Sequence, residues 1–504
     1  KLTGLGATYG EITAKRNSII IEPNVPVIIG KCNDPKHKDD NLFGVYEGVY
    51  TDDIVNYLEK SKNKYYKILT TPESFQKVKD AFEELEMSAQ CSCFLLFDEC
   101  HKLVKDADYR SDITLPIDDF FKFGQKALVS ATPIELNDPR FKEQNFQTIE
   151  IQPTFDYKKE IWLHHTNNTL QAFKDTLSKL NNEEAAPLPI CVFINSTDII
   201  YSLMKQLDLL EESAVFCAPK SVDKLKKNRF CNVYEQWNKD KMKRYNFFTS
   251  RFFNAVDMEL EEQPHVIMLT DVYFAEHTMI DPYTDAIQIV GRFRNGVSSI
   301  TYISNTKKGL PQRSKEEIKG YLICSKEIYR TMKNFYDCAT DRASRDAYRA
   351  ALESLPFNRM LDRNGNKNWF AIDNYMDEEL MKNYFHDEDS LYKAYDNCDS
   401  FIVYHAGYYC PLGDSERLKR ENKSQSIKDK RKEIVRQLEM LGDCVTEMEL
   451  EYKRDLIAAD SFIVEAYDTV GKEVIEKLKY SKKKITEAMI QKQYSEKATG
   501  TEVI

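Results

Sequence analysis

Short runs of large apolar residues punctuate this chain without alternating with polar ones. The sharpest is Phe94-Leu95-Leu96-Phe97. Four such residues in succession fit a strand covered on both faces, as in a parallel sheet, whereas a half-solvated strand alternates. The pattern recurs in Ser18-Ile19-Ile20-Ile21, Ile190-Cys191-Val192-Phe193-Ile194, Ser213-Ala214-Val215-Phe216-Cys217 and Val266-Ile267-Met268-Leu269. Helical spacing falls between strands, as from Thr197 to Leu207. Strands alternating with helices predict an α/β chain of two successive parallel sheets, each sandwiched by helices. The first lobe spans 1–152. A switch at Pro153-Thr154-Phe155-Asp156 opens the second, over 153–325.

Ligand chemistry in parallel sheets gathers at the carboxyl ends of strands. Phe97 is followed by Asp98-Glu99-Cys100-His101. Two adjacent carboxylates there can divide the work, Asp98 holding Mg²⁺ through water and Glu99 orienting or deprotonating an attacking water. The plainer alternative is a strand end running into a helix N-terminus, which also favours acids. Two later segments add to the pattern. Ala127-Leu128-Val129-Ser130-Ala131-Thr132-Pro133 is an apolar strand ending in small hydroxyl residues, and Gln288-Ile289-Val290-Gly291-Arg292-Phe293-Arg294 presents arginines beside glycine, where backbone can approach a ligand closely.

With these segments in this order, the chain resembles the superfamily 2 helicases, in particular the DEAD/DEAH-box group with a D-E-x-H box. The resemblance implies two tandem RecA-like P-loop lobes, a mostly helical C-terminal region, ATP and Mg²⁺ held between the lobes, and a tract of DNA or RNA lying across both. Leu2-Thr3-Gly4-Leu5-Gly6-Ala7-Thr8 looks like the phosphate loop, with Thr8 and Asp98 serving the metal. Ala7 stands where the family has its lysine. An alanine cannot neutralise phosphate charge, and Lys1, just upstream of the glycine turn, is the expected substitute.

The remaining blocks carry further expectations from the same resemblance. Pro23 and Asn24 after one strand, Thr71, Pro72 and Glu73 after another, and Ser196 and Thr270 in the second lobe would grip the nucleic-acid backbone. Thr71 can cap the helix that Pro72 and Glu73 begin. His101, Ser130 and Thr132 would couple the cleft to the strand, while Asp271 and Gly291 would line the nucleotide. Gln288 and Arg292 would face the transferring phosphate, where a cation from lobe two stabilises developing charge only when the lobes close. Arg294 departs from the pattern, because the second arginine belongs one residue further, at Asn295. A helicase-like binding scaffold without hydrolysis, motivated by Ala7, is the alternative. A phage DNA-packaging ATPase is disfavoured by the strand-and-arginine pattern from Ile190 to Gly296.

Composition changes the picture only in places. The net charge of −10 argues against a static DNA-packaging protein but leaves room for a local basic groove. The 12 cysteines lack zinc-knuckle spacing and the 8 histidines form no metal motif, so buried reduced thiols and a cytoplasmic setting are expected. No stretch approaches the ~20 apolar residues of a membrane span. Past Lys326 the resemblance ends. An aromatic-rich region, 326–412, precedes charged helices over 413–504, in which Ile434, Leu438, Leu441 and Val445 share one face that could pack on the lobes or on a protein partner. The chain starts without methionine or the strand that should feed the glycine turn, so it is expected to continue upstream.

Overall fold

The structure, a computed structural model, describes residues 6–107, 110–183, 187–253, 257–362, 365–421 and 426–500. Lys1, Thr3, Gly4 and Leu5 therefore lie outside the described residues.

The first sheet holds β1 (Ser18–Ile21), β2 (Leu42–Val45), β3 (Lys67–Thr70), β4 (Phe94–Phe97) and β5 (Gln125–Leu128), all parallel, in the order β2-β3-β1-β4-β5. Ile20 sits between Leu69 and Leu96. Both faces are covered. Ile19, Ile21, Leu95 and Phe97 enter one cluster with Phe75 and Phe82, while Ile20, Leu69 and Leu96 enter another with Ile12 and Ile28. That two-sided burial is why these runs do not alternate.

The second sheet holds β6 (Lys159–Thr166), β7 (Ile190–Phe193), β8 (Ser213–Phe216), β9 (Val233–Tyr234), β10 (Tyr245–Phe248), β11 (His265–Thr270), β12 (Ser299–Ser304) and β13 (Phe401–Tyr408). Its order is β13-β6-β12-β11-β7-β10-β8-β9, again parallel. The two expected α/β lobes are formed, but the boundary at 325 does not isolate the region after it. β13 pairs with β6 along its whole length. Phe370, from the helix Trp369–Lys382, is buried in the first lobe's core, and Phe385, Leu391 and Tyr395 in the second's. The region 326–412 thus completes both lobes.

The terminal helices have a core of their own, in which Ile434, Leu438 and Leu441 meet Leu456 and Ile463. Val445 does not join them. The helix Ile427–Leu441 stops at Gly442, whose φ of +61° turns the chain, and Val445 is left exposed. Among the described residues no helix is long and apolar enough to cross a membrane.

Candidate functional site between the lobes

β4 delivers the acidic pair to the sheet's carboxyl edge. The Asp98 amide donates to the Ile21 carbonyl (2.9 Å), extending the ladder one residue beyond the strand. Asp98 Oδ1 then accepts the Glu99 amide (2.9 Å), and Glu99 adopts φ +47°. A left-handed glutamate is an uncommon, costly conformation, held here by the contacts of its side chain. Gly6 (φ +78°) turns the chain into α1 (Ala7–Thr13), where the Thr8 hydroxyl donates to Asp98 Oδ2.

The same carboxylate oxygen has a cation beside it. Lys31, near the end of α2 (Val25–Asn33), places Nζ 3.6 Å from Asp98 Oδ2 and 3.5 Å from Glu22 Oε2. Burial pushes the Glu22 carboxyl up to about 7, against the pull of Lys31. For Lys31, burial works to lower the pKa, but the Glu22 and Asp98 carboxylates outweigh it and leave the value raised. Lys102 Nζ, buried behind the acidic pair, donates to Asn24 Oδ1 (2.9 Å), and burial lowers its pKa.

A closed circuit of polar contacts then crosses from one lobe to the other. His101 Nδ1 lies 3.4 Å from Glu99 Oε2 and 2.9 Å from Ser130 Oγ. Ser130 Oγ accepts the Thr132 amide (3.0 Å), and Thr132 Oγ1 accepts from Gln288 Nε2 (2.9 Å) in the second lobe. Gln288 Oε1 accepts from Arg292 Nη2 (2.7 Å), which returns to within 3.7 Å of Glu99 Oε1. Burial favours a neutral Glu99, yet the His101 contact and the charges of Arg292 and Lys102 prevail and hold its pKa down to about 2. Asp98, Glu99, His101, Ser130, Thr132, Gln288 and Arg292 are therefore brought together from segments far apart in sequence.

No family model matches the chain, and no curated protein matches it. Solved structures that match over part of the chain are found. They include Dbp5 of S. cerevisiae bound to RNA and ADP BeF3, at 15% identity over 58% of this chain and 72% of that one with a TM-score of 0.36. Mss116p bound to ssRNA and AMP-PNP aligns at 12% identity over 70% and 77%, TM-score 0.38. A DEAD box protein from the hyperthermophile Methanococcus jannaschii aligns at 14% over 60% and 80%, TM-score 0.30. At such identities the chemistry of the site has to be read from its own side chains.

Several expected site residues stand elsewhere. Asp271, expected in the cleft, is fully buried, and its carboxylate accepts from Asn305 Nδ2 (2.7 Å), Arg417 Nη2 (3.2 Å) and the amides of Tyr273 and Phe274 (3.1 and 3.2 Å). The cause is the helix Asp414–Glu421, which docks against the end of β11. Thr270, expected to touch nucleic acid, is also fully buried, bonded to the Thr278 carbonyl (2.7 Å) and Tyr302 hydroxyl (2.9 Å). Arg294 is turned onto Asp257, with Nη2 2.8 Å from both carboxylate oxygens, and donates to the Gly291 carbonyl (3.1 Å). Asp257 also takes Arg292 Nη1 (3.3 Å).

The proposed nucleic-acid residues follow β1, β3 and β7 at the carboxyl edges of the sheets, but their side chains serve the fold. Thr71 Oγ1 accepts the Ser74 amide (3.3 Å) and Ser196 Oγ accepts the Ile199 amide (3.3 Å), both as caps. Pro23 and Pro72 are buried, and Glu73 is held by Arg110 at 2.7 and 3.0 Å. A grip on a strand at these positions would use backbone groups.

Thr8 and Asp98 are the expected metal-holding residues that the structure brings together. Among the described residues no group of three or more His, Cys, Asp or Glu could hold a metal by itself. Thr8 and Asp98 would therefore serve Mg²⁺ together with phosphate and water oxygens, its usual company. Asn24 Nδ2 is buried without a hydrogen-bond partner among the described residues, and Glu99 Oε2 has only the 3.4 Å approach of the His101 ring. Groups left in that state call for a ligand or an ordered water. Lys31, Glu22, Lys102 and Asp257 were missed from the sequence. A buried acid one residue past a fully apolar strand, as at Glu22, was the signal available.

Proposed function

We propose that the chain is an ATP-dependent nucleic-acid helicase or translocase, hydrolysing Mg-ATP in the crevice between its lobes and coupling turnover to movement on DNA or RNA. The approach of Arg292 to Glu99 carries this reading, because a guanidinium from one lobe set against the carboxylate of the other is of use where charge develops between them. Asp98 and Thr8 would hold Mg²⁺, which when bound neutralises phosphate charge. Glu99, kept ionised by its surroundings, can accept a proton from water. Arg292 can stabilise the transferring phosphoryl group, and Gln288 fixes the guanidinium through Oε1. His101, Ser130 and Thr132 tie the base to the second lobe, so that opening the lobes disassembles the site.

Ala7 favours one second reading, a nucleic-acid-binding scaffold that has lost hydrolysis. Phosphate release measured with no nucleic acid, single-stranded DNA, duplex DNA and RNA separates the two. Stimulated turnover supports the motor and names its strand. Binding of a strand with no turnover under any condition leaves the scaffold.

A further inference from the structure

The family resemblance leaves a charge missing at Ala7, and the structure supplies one from an element that no phosphate-loop pattern includes. Asp98 Oδ2 is shared by two groups, the Thr8 hydroxyl and the Lys31 ammonium at 3.6 Å. The hydroxyl beside the glycine turn and the ammonium on α2 therefore flank a single oxygen. The second neighbour of Lys31 is Glu22, at 3.5 Å. A quarter of the lysine side chain remains exposed, although its ammonium stands beside two carboxylates.

The other cations of the site are engaged differently. Lys102 donates to Asn24 and makes no ion pair with Asp98 or Glu22 among the contacts of the described residues. Arg292 and Arg294 belong to the second lobe and share Asp257. An ammonium on a flexible four-carbon stem can move a few ångströms without rearranging its helix, and it acts as a point charge needing no planar partner. It is suited to leaving one carboxylate oxygen for a phosphate brought in beside it.

Resting on the nucleotide-binding reading above, we propose that Lys31 is the phosphate-binding cation of this chain, acting from α2 in place of the lysine absent at Ala7. Its role is to contact the β and γ phosphates, while Thr8 and Asp98 keep the metal. A purely structural Lys31 would only neutralise Glu22 and Asp98, and the number of phosphates on the ligand tells these roles apart.

The experiment measures fluorescence anisotropy of mant-ATP, mant-ADP and mant-AMP with MgCl₂ and without nucleic acid, on the native chain, K31M, K31Q and the double variant A7K/K31M, each first checked for a native melting profile. Affinity should rise from AMP to ATP in the native chain. K31M and K31Q should lose that rise, with ATP affinity falling about tenfold to a hundredfold, the scale of a charge-assisted hydrogen bond, and AMP affinity unchanged. A7K/K31M should regain it, because the cation is returned from the other side. A retained rise in both single variants, or an equal loss for all three nucleotides, overturns the proposal. Failure of the native chain to bind any of them overturns the site reading itself, and the proposal with it.

Discussion

Arg292 Nη2 lies 3.7 Å from Glu99 Oε1 although the two residues belong to different lobes. The guanidinium is oriented by Gln288 on one side and Asp257 on the other, so its approach is fixed by the second lobe before any ligand arrives. A pair divided in this way exists only while the lobes are together.

Replacing Glu99 by glutamine keeps the shape and removes the proposed base. Steady-state phosphate release should fall by about 10²–10⁴-fold, the range for a lost general base, while mant-ATP affinity stays within about threefold, well under the tenfold that 1.4 kcal/mol represents. Undiminished hydrolysis in E99Q would remove Glu99 from the reaction.

Arg292→Ala should cost about 10³-fold or more in turnover with nucleotide affinity little altered, as expected of a cation acting on developing charge. R292K should recover little of this, since an ammonium cannot span Gln288 Oε1 and Asp257 together. Equal losses in binding and turnover would mean that Arg292 holds the ground state instead.

Thr132→Val leaves the volume nearly unchanged and strips the acceptor from Gln288 Nε2. An unpaired buried amide costs about 1–3 kcal/mol, incurred only in the closed arrangement, so the open one gains. Single-molecule energy transfer between dyes on the two lobes should report a larger open population in T132V, and stimulation of turnover by nucleic acid should weaken. An unchanged distance distribution would show that this bond does not govern closure.

The pieces that were legible in the sequence are those whose physics is local. Phe94-Leu95-Leu96-Phe97 announces a strand buried on both faces, and Asp98 with Glu99 must follow it to the sheet edge. Gln288 and Arg292 share one helical turn, Asp285–Gly291 and its cap, so their joint presentation was readable too. The illegible parts depend on residues that arrive later in the chain. Asp271 looks free until residues Asn305 and Arg417 are seen to take it. β13 is an edge strand exposed over most of its length, and its sequence lacks the unbroken apolar run of the buried strands, so its place is seen only when β6 is set beside it. Lys31 could not be distinguished from an ordinary surface lysine, because its two carboxylates follow two different strands.

Lys105 bridges the lobes from behind the site, with Nζ 2.6 Å from Asp377 and 3.4 Å from Asp281, all three largely buried. Lys105→Met removes the shared cation and leaves two carboxylates facing each other. Breaking a buried pair in this manner costs about 3–5 kcal/mol, and the urea midpoint should fall accordingly. A midpoint equal to that of the native chain would assign the contact no role in holding the lobes.

Stability should also vary with pH through the buried carboxyls. Asp373, on the helix Trp369–Lys382, accepts the Asn137 amide and Nδ2 of the first lobe at 3.0 and 2.7 Å. Burial raises its pKa from 3.8 to about 6, more than those hydrogen bonds lower it. A carboxyl with a raised folded-state pKa binds its proton more tightly when folded, so its contribution to stability is complete below about pH 4 and is lost as pH rises through 6. Asp285 and Asp414, also raised to about 6 by burial, act in the same window and the same direction. Melting temperature should therefore decline between about pH 4 and 6. Asp373→Asn removes one titrating group from this set, and the difference between variant and native chain should move in the variant's favour across that window, then level off above pH 7. A difference that is flat with pH, or that moves the other way, would show that Asp373 is ionised in the folded protein at pH 5.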